Sequence, residues 1–375
     1  MLARVLGNQR PYGTLLRVLL LVSIALIVLG VAYVIVNPGS GTPVSAEHTR
    51  PPVSAVVWTP VPLGHGRATM ASGKAGLWVA QQTAGGTRGR LLRIDTSVST
   101  STTGRPTKTY RIPIAPQSIA VGDKSLWVVG ETGHSQYATL LRVDPATGRV
   151  VHMLHLAAPS ACSTAPFASC YPVATRRGVW VPLINGLDHV NAAGTMPDNN
   201  VTLHGQVWAM TAGGGWLWVL AETAVYRVDE RNGAWRRRDL RPSIGPGMQA
   251  NHLAANGKTV WISSYPRSSE AVISVSKLTQ MLVSGGQMRV RPSRVYPGAG
   301  PLVLLDGGLW LGRYDGQGEI DRLDATTGRL TGPFPVVPDQ PVTLVPRQNT
   351  LWVLAYRANG NLRTLTRISL APNKS

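Results

Sequence analysis

Six sets of side chains in this sequence are of types that do chemistry or binding, and each is judged by where a regular backbone would carry it. His152 and His155 suggest a metal pair, but Val150 to Leu156 reads as a strand. Residues three apart on a strand of period two face opposite sides and cannot chelate one ion together. His204, His252, Glu270 and Glu319 offer acid, base or ligand chemistry, yet they are scattered along the chain with no local motif uniting them. Gly213-Gly214-Gly215 runs into a strand rather than a helix, so it reads as a turn and not as a phosphate loop. No catalytic residue is assigned on these grounds, and no metal or cofactor is expected.

The remaining sets bind rather than react. Gln117 stands ten residues before a tryptophan, Gln206, Gln249 and Gln340 stand twelve before theirs, and Tyr171 takes the matching place before another. A ring of neutral amides would hold either a polar, hydroxyl-rich ligand or ordered water. Trp235-Arg236-Arg237-Arg238, with Arg241 close by, is the densest positive cluster. It reads either as a solvated edge whose charges discourage sheet-to-sheet pairing or as a contact for an anionic lipid or polymer. Cys162 and Cys170, the only two cysteines, are expected to form a disulfide if the domain is exported.

What positions these residues is a repeat. Leu-Trp-Val or a close copy places a tryptophan at 78, 127, 180, 218, 261, 310 and 352, with spacings from 38 (Trp180 to Trp218) to 53 (Trp127 to Trp180). That interval suits one four-stranded propeller blade. Short apolar or alternating runs bounded by Gly, Ser, Thr and Pro surround each tryptophan, as strands require. Blade two is the cleanest: Ser118 to Val121, Leu126 to Val129, Leu140 to Asp144, then Val150 to Leu156. Between its third and outer strands lies Asp144-Pro145-Ala146-Thr147-Gly148-Arg149, closely repeated at Asp324 to Arg329 and again at Asp229 to Gly233. In such a turn the Asp bonds nearby backbone amides and the Gly takes a positive φ, so these aspartates are structural. Ser54 to Trp58 is a spare strand before blade one, and pairing it into blade seven would close the ring and remove an open edge. The fold class is therefore all-β: a seven-bladed β-propeller over residues 53–375.

Leu126-Trp127-Val128, Arg142-Val143-Asp144 with Thr147-Gly148-Arg149, and Pro116 to Gly122 together resemble the repeats of YVTN/YncE-type and virginiamycin-lyase-like seven-bladed propellers. The resemblance covers residues 53–370 in outline and is closest in blades two and six. Blades three and five depart from it, with His189-Val190-Asn191 and Ser274-Val275-Ser276 where Arg-Val-Asp is expected. Likeness to the lyase would imply histidine and glutamate with a divalent ion at the channel mouth; no local motif here matches, so none is carried over. The resemblance speaks to fold, since this architecture hosts unrelated functions.

Ahead of the repeats, Leu15 to Val36 is aliphatic but for Arg17, long enough as a helix to cross a bilayer. Arg4, Arg10 and Arg17 precede or begin that run without any acid, which keeps residues 1–14 in the cytoplasm and exports the rest. A cleaved signal peptide is the alternative, but Val44-Ser45-Ala46 lies well past an apolar run already too long for one. Residues 37–52, rich in Pro, Gly, Ser and Thr, read as a linker. The net charge is +19, and beyond Val36 34 basic residues still face 18 acidic ones. Nucleic acid is excluded as a partner on location. The expected role is an extracytoplasmic, membrane-anchored module for a polar small ligand or a protein. The alternatives are a lyase- or hydrolase-type enzyme with its site at the channel mouth, and a scaffold on anionic wall polymer or lipid.

Overall fold

The structure, a computed structural model, describes residues 56–57, 61–83, 85–97, 104–133, 137–161, 171–266, 276–314, 318–331, 337, 339–356 and 363–369. The expected membrane span at 15–36, the linker at 37–52, Cys162, Cys170 and Glu270 lie outside these residues. No helix among the described residues is long and apolar enough to cross a membrane.

Seven antiparallel sheets follow one another along the chain, one around each repeat tryptophan. Blade one is Ala68–Gly73, Gly76–Gln82, Gly89–Ile94 and Pro106–Ile112. Blade two is Ala115–Val121, Leu126–Glu131, Thr139–Val143 and Val150–His155, and blade three Val173–Ala174, Gly178–Leu183, Gly186–Asn191 and Pro197–Thr202. Blade four is Val207–Gly213, Trp216–Ala221, Ala224–Asp229 and Trp235–Asp239, followed by a single helical turn at Arg241–Ile244. Blade five is Met248–Ala255, Thr259–Pro266, Lys277–Ser284 and Gln287–Val290, with Arg294–Val295 on the same edge. Blade six has Ala299–Leu305, Gly308–Arg313 and Ile320–Asp324. Blade seven has Gln340–Arg347, Thr350–Tyr356 and Arg363–Ser369.

The seventh sheet takes its outer edge from the other end of the domain: Val56–Val57 and Val61–Gly64 both pair antiparallel with Arg363–Ser369, Val56 opposite Ser369 and Val61 opposite Leu365. The last blade thus holds both ends of the ring, and the edge of Arg363–Ser369 is covered.

The repeated Leu-Trp-Val strands are apolar without alternation because they are sandwiched on both faces. Outer strands face solvent instead: in Val150–His155 every second residue is exposed, and in Trp235–Asp239 four consecutive residues are. Each tryptophan packs into the blade that follows it. Trp78 sits among Ile119 and Val128, Trp127 among Val179 and Val181, Trp180 among Val207 and Val219, and Trp218 among Val260 and Ile262. Trp261 contacts Leu309 and Leu311, Trp310 contacts Leu351 and Val353, and Trp352 meets Leu77 and Val79 of blade one. The repeat is therefore an interface repeat, and a blade without its neighbour would expose its largest apolar side chain.

Directly opposite each tryptophan, on the third strand, stands Arg93, Arg142, His189, Arg227, Gln280, Arg322 or Arg367. Blade five corrects the expected alignment: Gln280, not Ser274, occupies the arginine position, because its third strand begins at Lys277. Gln280 still bridges outward, donating to the Thr326 carbonyl and accepting from Arg291. The Asp-containing turns behave as expected. Asp144 accepts from the Thr147 hydroxyl and the Ala146 amide, and these bonds hold its carboxyl below the usual range. Gly148 closes the turn at φ 69, and a Cβ there would collide with Tyr110.

Candidate functional site

The inner strands carry a shared irregularity that sets what faces the channel. In blades two, four, five and seven a bulge falls on the tenth residue before the repeat tryptophan: Gln117, Trp208, Asn251 and Val342. A bulge leaves one residue out of the ladder and re-aims its neighbours. The next residue in each blade, nine before the tryptophan, is Thr69, Ser118, Tyr171, Ala209, His252, Pro301 or Thr343. Five of those seven are polar, which makes this level a polar collar rather than a continuation of the apolar core.

The channel below the collar is a cavity of about 460 Å³ with a segment of every blade in its wall. Its lining runs through Met70, Ile119, Met210, Leu253, Leu302 and Leu344, and among the described residues it includes no Asp, Glu, Lys, Arg or His. Tyr171 crosses its upper end. The Tyr171 hydroxyl and Thr343 Oγ1 share a hydrogen bond of 2.7 Å. In a closed ring of seven, blades three and seven lie on opposite sides, so one side chain bridges the opening.

Beside that bridge, His252 Nε2 and the Tyr314 hydroxyl lie 3.1 Å apart, both groups buried. Burial pushes the His252 imidazole down to about 3, so it is neutral at physiological pH. Burial, with Tyr265 and Tyr171 close by, raises the Tyr314 phenol well above its usual value. Among the described residues Asn251, fully buried at the bulge, has no partner for either amide atom, and the Ser118 and Thr69 hydroxyls are likewise buried without a partner. Such groups are met by ordered water or by a ligand. Among the described residues no three of His, Cys, Asp or Glu come together as a metal site.

The five residues expected at the mouth do not form one ring. Tyr171 alone among them lines the cavity. Gln117 lies on the bulge, where its amide donates to Glu131 at 2.6 Å. Gln249 and Gln340 lie two residues earlier in their blades, opposite Tyr265 and Tyr356, and the Gln206 carbonyl accepts from the Glu222 amide. Glu319 pairs with Arg313, and His155 contacts the Thr139 hydroxyl at the outer edge of blade two. The collar residues Thr343 and His252 carry no local motif that marks them as a set, and only a common offset of nine from the tryptophan ties them to Tyr171.

No protein-family model matches the sequence, and no curated protein matches it. Solved structures do. The β-propeller domain of Myceliophteria thermophila Cps50 (Swd1) aligns with a TM-score of 0.58 at 10% identity, covering 83% of this chain and 99% of that one. The Neurospora crassa Pan2 WD40 domain aligns at 0.56 and 10%, covering 83% and 90%. BamB from Moraxella catarrhalis aligns at 0.48 and 14%, covering 84% and 99%. At these identities the likeness is one of fold. The chain is a seven-bladed β-propeller.

On the rim of this propeller, Arg236, Arg237 and Arg238 are exposed along the outer strand of blade four, opposite Arg227, Tyr226 and Val225. Arg236 donates to the Gly286 carbonyl of blade five, and none of the three forms an ion pair among the described residues. Arg241 differs, because a two-pronged pair with Asp239 at 2.7–3.2 Å neutralises it. The expected four-arginine cluster is thus three uncompensated charges and one paired one. Arg227, beneath Arg236, stacks 3.9 Å from the centre of the Trp216 ring.

Proposed function

We propose that this propeller is an extracytoplasmic binding module of YVTN/YncE type, tethered by a membrane helix over residues 15–36, which holds a polar ligand at its channel mouth. The observation that carries the reading is the channel wall: aliphatic side chains contributed by all seven blades, no ionisable group other than Tyr171 in the lining among the described residues, and a collar of buried hydroxyl and amide groups above it. Such a site offers shape and hydrogen bonds to a ligand. A lyase or hydrolase would need an acid and a base converging on one reacting atom. His252, the histidine of the collar, is instead held neutral against Tyr314.

A thermal-shift screen of polyols, sugars and short peptides against the full-length protein, with and without divalent cations, tests this. A polar ligand is expected to raise Tm without added metal, and Tyr171→Ala is expected to reduce that shift at least tenfold in ligand affinity. Stabilisation by divalent cation alone, followed by turnover of a bound ligand, would support the enzymatic reading instead. For the tether, fractionation of cells is expected to find the full chain in the membrane fraction and a chain lacking residues 15–36 in the soluble one. Equal partition of both would refute the anchor.

A further inference from the structure

Arg363 begins the last strand and is only 3% exposed. Its guanidinium lies over the ring of Tyr356, its direct cross-strand partner. Nε donates to the Gly66 carbonyl at 3.3 Å, while Nη1 is buried with no partner among the described residues. No carboxylate among the described residues neutralises it. Asp339 accepts instead from Thr364, the adjacent residue, whose side chain leaves the strand on the other face. The groups that act electrostatically on Arg363 are Arg67, a second positive charge, and Tyr171, the residue that bridges the channel. The stretch 357–362, Arg-Ala-Asn-Gly-Asn-Leu, contains no acid that could serve.

A buried guanidinium facing a like charge resembles an ion pair from which the anion has been removed, an arrangement that is strongly unfavourable on its own. Consistent with that, burial and Arg67 hold the Arg363 guanidinium down to about 9. Arginine also presents a planar fork that suits two oxygens of one group.

We propose that Arg363, with Arg67 and the Tyr171 hydroxyl, forms an oxyanion subsite at the channel mouth, where a carboxylate or phosphoryl group of the ligand supplies the missing partner. The inference rests on the channel-mouth reading above and adds to it the charge of the ligand. Tyr356 covers the group with aromatic surface, and the collar provides hydrogen bonds for whatever polar body the ligand carries. Ligands at this mouth are therefore small acids rather than neutral polyols.

The test uses the full-length protein and two probes, inorganic phosphate and acetate, each against sodium chloride at equal ionic strength. One or both probes are expected to raise Tm saturably, as mass action on the folded state requires, and which one does so assigns the phosphoryl or the carboxylate source. Arg363→Met is expected to abolish the response and, in chloride alone, to melt at or above the wild-type temperature because a buried unpaired charge has gone. Arg67→Gln, at a more accessible position, is expected to weaken the probe at least threefold. Three results would each overturn the subsite: no rise above chloride with either probe, an equal rise in Arg363→Met, or an Arg363→Met protein that melts well below wild type in chloride. If those occur while a neutral ligand still binds in a Tyr171-dependent way, the subsite alone is lost; if nothing binds at the mouth, the broader reading is lost with it.

Discussion

Replacing Trp352 by alanine is expected to cost about 3–5 kcal/mol, a large share of the roughly 5–15 kcal/mol that holds a typical domain together. Trp352 is 1% exposed and packs against Met70, Leu77, Val79, Leu92 and Ile94 of blade one. It therefore sits at the junction where the seventh blade meets the first. Loss of the ring there removes apolar contact and leaves a cavity between the two ends of a closed circle, so unfolding from that junction should become easier for every blade. Its indole Nε1 has no hydrogen-bond partner, which makes the cost one of packing. Trp261→Ala provides the comparison. Trp261 packs equivalently and also donates to the Ala325 carbonyl at 2.9 Å, so it is expected to cost about 1 kcal/mol more. Trp235, 41% exposed on the outer edge of blade four, should change stability by less than about 1 kcal/mol when replaced. Urea unfolding of the three variants checks the order, and a Trp352→Ala protein as stable as Trp235→Ala would contradict the interface account.

Acid is expected to destabilise the propeller through His252. The unfolded imidazole titrates at 6.5, whereas in the folded state burial holds it down to about 3. Between those values the unfolded chain binds a proton that the folded chain refuses, so stability falls as pH is lowered from 6.5 toward 3 and the loss levels off below the folded value. The slope is up to about 1.4 kcal/mol per pH unit, so by pH 4.5 the deficit is on the order of 3 kcal/mol. His252→Gln keeps a polar group beside Tyr314 but cannot be protonated. The stability difference between wild type and this variant should therefore shift in the variant's favour by that amount between pH 7.5 and 4.5. Other titrating groups contribute equally to both proteins and cancel. An unchanged difference across that range would mean that His252 is not buried as neutral imidazole.

Much of the fold could be read because its signal is local and repeated. A tryptophan sandwiched between blades needs apolar neighbours on both faces, and an Asp-to-Gly turn needs a side-chain acceptor and a positive φ; both are written in consecutive residues. Blade five departs from the register its sequence suggests because Gln280 replaces the arginine and nothing in Ser274-Val275-Ser276 marks the later start of the strand at Lys277. The glutamines share a neighbourhood in sequence but not a level in the blade. Gln117, ten before its tryptophan, is the bulged residue itself, whereas Gln249 and Gln340, twelve before theirs, stand two residues ahead of the same bulge, and a bulge leaves little trace in residue type. His252 was set aside as one of several scattered histidines, although its offset from Trp261 equals that of Tyr171 from Trp180.

From residue order come the number of blades, the strands within them and the turns that join them, since each depends on contacts within one repeat or with the next. The functional end of the channel has another origin. Tyr171 and Thr343 are 172 residues apart, His252 and Tyr314 are 62 apart, and Arg363 reaches Gly66 across 297. The first pair spans blades three and seven, which face one another only when seven sheets close into a circle; the second joins neighbouring blades five and six, and the third ties the last strand to the segment after Val61–Gly64, which completes the seventh sheet. The chemistry of the mouth is thus a property of the closed ring, which brings together residues that no single repeat contains.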